Sequence, residues 1–235
     1  MEKKGKIVGV SLGPGEPELI TLKALNVLKE ADFIFCPGTI GADGVFKSRA
    51  MDILSALPVD IPKIRTFHVP MSRKREEALK AYDAVCGQMI ELAMAGNNIA
   101  VTAEGDACFY SSANYMYGKL RTAGFPVEMV AGVPAFIAAG ASIGLHVVKQ
   151  QERLLVIPGD VIVEELLEVV VAKRSVVIMK VPLGEAVLRP FIARHPELHY
   201  HYFEQVGTSQ EFYTSEREQI LERSFTYFSI LFILP

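Results

Sequence analysis

The sequence predicts an α/β fold made of two α/β domains with largely parallel sheets and a ligand-binding cleft between the domains. Short runs of β-branched and aromatic residues alternate with amphipathic segments along the chain. Turns rich in glycine or proline follow most of these runs. The pattern restarts at Gly124-Phe125-Pro126, so we expect an N-terminal domain over 1–123 and a C-terminal domain over 124–235. A cleft between two such domains is the default ligand site.

The first predicted domain contains strands and helices in alternation. Continuous or alternating apolar runs indicate strands, and apolar residues three or four apart indicate helices. The second strand is expected to stop at Pro37-Gly38, and the first helix to begin at Pro17, where a missing N–H is tolerated. The strands are expected at 6–12, 33–36, 64–69 and 99–102, and the helices at 17–31, 46–57, 75–95 and 112–123.

The second predicted domain repeats the alternation. Gly132-Val133-Pro134 turns the chain into a helix of small residues, and the charged segment 215–222 is not assigned to an element. The strands are expected at 127–131, 153–157, 175–181, 200–205 and 227–234, and the helices at 135–143, 164–172 and 183–195.

Composition and charge argue against several classes of protein. The mean hydropathy is +0.27, but no apolar run approaches the roughly 18 residues that a membrane helix needs. The N-terminus leads into a strand rather than a signal-peptide core, so we expect a cytoplasmic protein. A net charge of −3 with interleaved signs argues against a nucleic-acid partner. The three cysteines form no CxxC pattern, and we expect no metal site.

Gly13-Pro14-Gly15 follows the first strand and opens a helix, which is the position of a phosphate-binding loop. The spacing of Gly9, Gly13 and Gly15 does not match G-x-G-x-x-G, and no Gly-Lys-Ser/Thr follows. Pro14 also removes an N–H that an anion could use. The nucleotide signal is therefore weak, and a tight turn between strand and helix explains the loop equally well.

Glu104-Gly105-Asp106 places two carboxylates and a glycine directly after a buried strand. In open α/β sheets, ligands bind outside the carboxyl ends of the strands, so this loop is the predicted chemical centre. Three interpretations stay open from the residues alone. The loop is a turn in which Asp106 caps a helix, a magnesium site, or a place where carboxylates hold ligand hydroxyls or amines and supply a base.

Several segments together resemble the tetrapyrrole (corrin/porphyrin) methylases, in the same order along nearly the whole chain. Members of this family transfer a methyl group from S-adenosylmethionine (SAM) to a carbon of a reduced tetrapyrrole. The resemblance implies a homodimer of two-domain chains with SAM in the cleft between the domains. The segments are 8–24, Glu104-Gly105-Asp106, 130–135, 177–180 and Gly207-Thr208.

Within this family, the chain looks most like the enzymes that methylate C20 of precorrin-2 in cobalamin synthesis. The resemblance is carried by Glu104-Gly105-Asp106 with Phe109-Tyr110-Ser111-Ser112, and by segments 179–181 and 227–231. Uroporphyrinogen methylases usually have Gly-Gly-Asp-Pro at the acidic loop. Here Glu104 stands in place of the first glycine and Ala107 in place of the proline. The implied substrate is precorrin-2 or cobalt-precorrin-2.

The resemblance also assigns roles to individual residues. Asp106 is the candidate for the base or for a carboxylate that orients SAM, and Tyr110 is the second catalytic candidate. The candidates for binding the tetrapyrrole carboxylates are the basic residues around the third strand, Arg65, His68, Arg73 and Arg75. The residues expected to contact SAM are Pro14, Glu104, Gly105, Asp106, Phe109, Pro134, Ala135, Met179 and Gly207.

Three kinds of alternative function stay open. The first is a methylase on this fold that acts on another precorrin carbon, on diphthamide or on RNA, the last being disfavoured by the net charge. The second is a non-catalytic SAM- or tetrapyrrole-binding protein. The third is a nucleotide-dependent oxidoreductase, which the broken glycine spacing disfavours.

Overall fold

The computed structural model describes residues 4–41, 43–70 and 75–235, without the side chains of residues 75 and 78. The chain forms two compact units, Met1–Pro134 and Ala135–Pro235. The expected boundary after Ala123 differs from this division, because Val127–Val130 pairs with Ile7–Ser11 in the sheet of the first unit. The restart of the pattern at Gly124 therefore marks the last strand of the first sheet.

The first unit alternates strands and helices, as the sequence predicts. Two single 3₁₀ turns, Pro17–Leu19 and Ile61–Lys63, precede α1 and β4. In chain order the elements are β1 (Ile7–Ser11), α1 (Leu22–Glu30), β2 (Phe33–Ile40), β3 (Phe46–Lys47), α2 (Arg49–Ala56), β4 (Ile64–His68), α3 (Arg75–Met94), β5 (Ile99–Ala103), α4 (Asn114–Thr122) and β6 (Val127–Val130).

The first sheet is mainly parallel. β1 pairs in parallel with β5 and β6, and β2 pairs in parallel with β4 and β5. The short β3 pairs antiparallel with the end of β2. One face of the sheet packs its apolar side chains against α1 and α2, and the other face packs against α3 and α4. Helices cover both faces, which is the usual environment of a parallel sheet.

Three helices of the first unit begin later than the sequence suggests, and the smallest shift is that of α4, which is expected from Ser112 and begins at Asn114. The helix expected from Pro17 becomes a 3₁₀ turn followed by α1, whose N-cap Thr21 accepts a hydrogen bond from the Ala24 N–H at 3.2 Å. The helix expected from Phe46 begins only at Arg49, because Phe46 lies in β3.

β2 continues through Pro37 to Ile40, beyond its expected end. β5 pairs with β2 only as far as Phe35, so the rest of β2 has one neighbouring strand at a time. A proline without an N–H is tolerated in such a position. The last two residues of β2, Thr39 and Ile40, form a hairpin with β3.

The second unit is built around another sheet. A 3₁₀ turn at Val181–Gly184 precedes α7, and α8 lies within the charged segment that the sequence left unassigned. In chain order the elements are α5 (Ala135–Ser142), β7 (Leu154–Ile157), α6 (Val163–Ala172), β8 (Ser175–Met179), α7 (Glu185–Arg194), β9 (His199–Glu204), β10 (Phe212–Thr214), α8 (Arg217–Glu222) and β11 (Ser229–Leu234).

The second sheet has the strand order β10-β9-β11-β8-β7, and only β7 and β8 pair in parallel. The other three pairings are antiparallel. The predicted parallel pairing thus holds for the first sheet and not for the second. The connections from β9 to β10 and from β10 to β11 carry no long crossover helix, so these strands return alongside each other. Among the described residues, no helix is long and apolar enough to cross a membrane.

A partly buried ion pair connects the second sheet to the segment after α8. Glu204, at the end of β9, is 5% exposed and accepts hydrogen bonds from Arg223 Nε, Arg223 Nη2 and Tyr202 Oη, each at 2.8 Å. Burial raises the pKa of the Glu204 carboxyl, but the bonds from Arg223 and Tyr202 outweigh burial and hold the pKa below its ordinary value. Arg223 also lies 3.6 Å from the centroid of the Phe212 ring.

Replacing Arg223 by alanine should lower the free energy of unfolding by about 1–3 kcal/mol, because the buried Glu204 carboxylate loses two hydrogen bonds from a guanidinium that is itself partly exposed. Urea unfolding at neutral pH measures this loss. Arg217→Ala is the matched control, since Arg217 pairs with the exposed Glu218 and such pairs contribute at most about 1 kcal/mol.

The loss caused by Arg223→Ala should also diminish in acid. A carboxyl whose folded pKa is depressed contributes stability above its ordinary pKa of 4.5, and this contribution is lost as the pH falls through the folded pKa. Equal losses for Arg223→Ala and Arg217→Ala at neutral pH would contradict the assignment.

Candidate functional site

The carboxyl ends of three parallel strands meet at one edge of the first sheet. Ser11 at the end of β1 is paired with Ala103 at the end of β5, and Val10 is paired with Val130 at the end of β6. The segments that follow these strands therefore start beside one another. This is the edge at which open α/β sheets bind ligands.

Ser11 connects all three strand ends. Its side chain is fully buried, donates a hydrogen bond to Val130 O at 2.6 Å and accepts one from the Ala107 N–H at 2.8 Å. One hydroxyl thus joins β1 to the end of β6 and to the acidic loop after β5. The loop geometry depends on this buried contact.

The two glycine-containing loops pair with each other. The Gly13 N–H donates to Gly105 O at 3.1 Å, and the Gly105 N–H donates to Gly13 O at 2.7 Å. Gly105 has a φ of +68°, a conformation that residues with a Cβ rarely adopt. A Cβ on Gly105 would meet nothing within 4 Å, so its requirement is conformational rather than steric.

Asp106 holds backbone groups with both of its carboxylate oxygens. Oδ1 accepts a hydrogen bond from the Cys108 N–H at 2.7 Å, and Oδ2 accepts one from the Gly132 N–H at 2.6 Å. The first contact is a turn of the kind expected for aspartate. Asp106 does not cap α4, whose N-cap is Ala113. The second contact links the loop after β5 to the segment after β6.

Gly132 lies where the chain after β6 passes closest to the other two loops. A Cβ on Gly132 would lie 2.7 Å from Gly105 O and closer still to the Cβ of Ser11. Only glycine fits this position without displacing the backbone of a neighbouring loop.

Glu104 forms a partly buried ion pair with Arg49, the first residue of α2. Arg49 Nε lies 2.8 Å from Glu104 Oε1, and Arg49 Nη2 donates to Pro14 O at 3.0 Å. Burial raises the pKa of the Glu104 carboxyl, Arg49 partly offsets this, and Asp52 adds a small further increase.

Phe109 and Tyr110 follow the acidic loop and contact each other edge to face. Their ring centroids are 4.6 Å apart with an interplanar angle of 61°. Tyr110 is 46% exposed and has a φ of +47°. A non-glycine residue held in this region is strained, and such strain is concentrated at functional sites.

The residues predicted in the second unit lie toward one edge of its sheet. Ile230 of β11 pairs with Met179 of β8 on one side and with Phe203 of β9 on the other. β8 and β9 therefore run in the same direction, so Met179 and Gly207, which follows β9, are placed toward the same edge. Ala135 is the first residue of α5.

The basic residues predicted to bind the tetrapyrrole occupy different parts of the first unit. Arg65 lies near the amino end of β4, with its guanidinium 5.3 Å from the centroid of the Phe33 ring and donating to Pro62 O at 3.4 Å. This end is about 10 Å along the strand from the edge that carries the loops. His68 is exposed and ends β4 at that edge, beside Gly38.

The other two basic candidates cannot be placed in the same way. Arg73 lies outside the described residues. Arg75 is the first residue of α3, and its side chain lies outside the description.

Sequence reasoning missed Ser11 and Arg49. The Ala107 N–H that binds Ser11 is 96 residues away, and the Pro14 carbonyl that binds Arg49 is 35 residues away. No local pattern indicates such contacts. Gly132 lay in the turn that carried the family resemblance, but its close approach to Gly105 is visible only in the folded chain.

The charges at this edge favour a cationic or polyhydroxyl ligand over a phosphate. Two carboxyl groups, Glu104 and Asp106, and one guanidinium, Arg49, lie beside the Gly-Pro-Gly loop, so acidic side chains outnumber basic ones there. Among the described residues, no group of three or more His, Cys, Asp and Glu side chains could hold a metal ion.

A comparison with protein families agrees with this geometry. The profile described as Tetrapyrrole (Corrin/Porphyrin) Methylases matches residues 6–220, which include both loops and their strands. The chain belongs to the tetrapyrrole (corrin/porphyrin) methylases. This membership confirms the predicted family and the predicted class of enzyme, a methyltransferase.

Relatives of this tetrapyrrole methylase include two with assigned reactions. A precorrin-2 C(20)-methyltransferase of Sinorhizobium sp is 28% identical over 97% of this chain and 95% of its own length. A cobalt-precorrin-2 C(20)-methyltransferase of Salmonella typhimurium is 29% identical over 75% of this chain and 73% of its own.

A solved structure supports the fold of this tetrapyrrole methylase. Uroporphyrin-III C-methyl transferase from Thermus thermophilus, in complex with S-adenyl homocysteine, has a TM-score of 0.63. It is 21% identical, and the match covers 97% of each chain.

Gly132→Ala should destabilise this methylase by about 1–3 kcal/mol, because the new methyl group must displace Gly105 O or Ser11. Thermal unfolding measures the change. Gly118→Ala in α4 is the matched control, since its Cβ would meet nothing within 4 Å and alanine should stabilise a helix by about 0.5–1 kcal/mol. A Gly132→Ala variant as stable as Gly118→Ala would contradict the close approach.

Proposed function

We propose that the protein transfers a methyl group from SAM to C20 of precorrin-2 or cobalt-precorrin-2, a step of cobalamin synthesis. The observation that carries the proposal is the similarity to the Sinorhizobium enzyme over almost the full length of both chains. SAM is the methyl donor of this family. The two relatives named above act on the cobalt-free and the cobalt-containing substrate, so the proposal includes both.

The loop edge of the first sheet suits SAM chemically. SAM carries a positively charged sulfonium group and ribose hydroxyls, and it has no phosphate. The Glu104 carboxyl suits these groups, Asp106 orders the backbone of the loop with both of its oxygens, and a Cβ on Gly105 would meet nothing within 4 Å. The residues assigned to SAM are Pro14, Glu104, Gly105, Asp106, Phe109, Pro134, Ala135, Met179 and Gly207.

The proposed reaction requires the protein to place the methyl group of SAM in line with C20 and to supply one base. SAM supplies an electrophilic methyl group and leaves as a neutral thioether, so the protein need not supply an acid. In-line placement can contribute about 7–11 kcal/mol in favourable systems. After attack, C20 loses a proton, which a base must accept.

Asp106 and Tyr110 are the two candidates for that base. Each oxygen of Asp106 already accepts a backbone N–H, which favours a positioning role for this carboxylate. Tyr110 is exposed beside the loop, and we assign the contact with the substrate to its phenol.

The tetrapyrrole carboxylates need cationic partners. His68 lies at the loop edge, and Arg73 and Arg75 follow β4 in the sequence, so these three remain assigned to the substrate. Arg65 is left out because its guanidinium lies at the other end of β4.

The proposal also includes a homodimer and a cytoplasmic location. Light scattering after size-exclusion chromatography measures the oligomeric state.

The experiment is an incubation of the purified protein with ¹³C-methyl-labelled SAM and either precorrin-2 or cobalt-precorrin-2. The product should gain one methyl and lose one proton, and ¹³C NMR should place the label at C20. Mass spectrometry of the two reactions identifies the preferred substrate. Label on another carbon would indicate a different precorrin methylase. Binding of S-adenosylhomocysteine without any turnover would indicate a non-catalytic protein.

Asp106→Asn should weaken S-adenosylhomocysteine binding about tenfold, because the amide NH₂ cannot accept from one of the two backbone N–H groups. Turnover at saturating SAM should fall less than affinity. Calorimetry and steady-state kinetics measure the two quantities. Asp32→Asn is the matched control, since Asp32 Oδ2 accepts the Asn98 N–H at the opposite edge of the sheet. Unchanged affinity with abolished turnover would identify Asp106 as the base instead.

A further inference from the structure

Arg49 occupies a position that local structure does not favour. It is the first residue of α2, where the partial positive charge of a helix N-terminus disfavours a cation. The helix has its own cap, because Ser48 Oγ accepts a hydrogen bond from the Met51 N–H at 3.0 Å. Ser48 thus supplies the cap of this helix, and the contacts of Arg49 are directed to other parts of the chain.

The guanidinium of Arg49 reaches both loops of the site at once. Nε contacts Glu104 Oε1 at 2.8 Å in the loop after β5, and Nη2 donates to Pro14 O at 3.0 Å in the loop after β1. The two contacts use different nitrogens of one rigid planar group, so they fix the spacing between the loops. A lysine, with a single nitrogen on a flexible stem, cannot reproduce both.

The base of the Arg49 side chain is itself held in place. Ser48 Oγ donates a hydrogen bond to Pro37 O at 2.6 Å, which ties the start of α2 to β2. The side chain of Arg49 is 17% exposed and that of Glu104 is 29% exposed, so solvent screens the pair only partly. This pair therefore has a defined geometry, unlike an exposed surface pair.

Arg49 also opposes the rise in the Glu104 pKa that burial causes. Glu104 lies near a second acidic residue, Asp52, one turn along α2. Without the guanidinium, a partly buried carboxylate beside another acid would favour its protonated form. Arg49 thus offsets part of the rise in the Glu104 pKa that burial causes, while its guanidinium links Glu104 to the Pro14 carbonyl.

The geometry points to Arg49 as a positioning residue for the methyl transfer, which holds the Glu104 carboxylate and the Pro14 carbonyl in register along the SAM-binding edge. This inference rests on the proposed function. Arg49 acts through the two loops. Its removal should therefore lower the affinity for S-adenosylhomocysteine more than the affinity for the tetrapyrrole.

The test is a double-substitution cycle with Arg49→Gln, Glu104→Gln and the combined variant, read as the dissociation constant for S-adenosylhomocysteine. Arg49→Gln should weaken binding about tenfold to a hundredfold, the range of a charge-assisted hydrogen bond. Glu104→Gln should also weaken binding, because it removes the pair with Arg49 and the contact that Glu104 is assigned with SAM. The combined variant should lose less affinity than the two single losses added together, since coupled residues are not additive.

Arg49→Lys keeps the charge but only one contact, and it should bind with intermediate affinity. If Arg49→Gln does not fold, Arg49→Lys takes its place as the test variant. Lys47→Gln is the matched control, because Lys47 precedes Arg49 by two residues and pairs with the exposed Asp43 in the β2–β3 hairpin. The KM for the tetrapyrrole should change less than the KM for SAM in every variant.

The outcomes separate this inference from the proposed function. Wild-type protein that binds no S-adenosylhomocysteine overturns both. Wild-type binding with unchanged affinity in Arg49→Gln or Arg49→Lys overturns the role of Arg49 alone. Additive effects of the two single substitutions overturn it as well, because they would mean that Arg49 does not act through Glu104.

Discussion

A parallel strand that ends inside a protein leaves backbone N–H and C=O groups that the neighbouring strands no longer satisfy. The first sheet resolves this constraint with two side chains and a pair of glycines. Ser11 bonds a carbonyl at the end of β6 and an amide after β5, and Asp106 bonds amides after β5 and β6. The mutual hydrogen bonds of Gly13 and Gly105 close the remaining gap between β1 and β5. Three loops that are distant in the sequence thereby become one surface.

This arrangement divides the polar groups of the edge into two sets. Ser11 and both oxygens of Asp106 form the internal frame, whereas Glu104, Phe109 and Tyr110 are at least partly exposed beyond it. In a phosphate-binding loop, free backbone N–H groups bind the phosphate. Here the Asp106 carboxylate already accepts the N–H groups of Cys108 and Gly132. A family that binds a sulfonium cofactor without phosphate can use its strand ends in this way. The Gly13-Pro14-Gly15 turn therefore suits a ligand without phosphate, whereas a dinucleotide-binding loop binds phosphate.

The sequence could predict what depends on neighbouring residues. The acidic loop, the Gly-Pro-Gly turn and most helices and strands follow from periodicity and turn chemistry, and residues 104–106 were located correctly at a strand exit. The sequence could not predict pairing between distant segments. Val127–Val130 looks like the start of a new domain until its pairing with β1 is known, and β9 and β11 give no local sign of antiparallel pairing. Arg65 and His68 differ by three positions but lie toward opposite ends of one strand.

Several residues at the loop edges of the two sheets depart from local preference. Arg49 stands at a helix start that favours acidic residues, and Tyr110 has a φ of +47° directly after the acidic loop. In the second unit, Lys180 and Gln205 have φ values of +56° and +52°, and each directly follows a strand, β8 or β9, that ends toward the edge of Met179. Each of these choices is unfavourable by itself and persists only when surrounding contacts determine it. Three of the five non-glycine residues with positive φ in the described part of the chain, Tyr110, Lys180 and Gln205, lie after the carboxyl ends of strands, whereas Gln150 precedes β7 and Lys173 ends α6. Strained backbone is therefore concentrated at the strand exits but not confined to them.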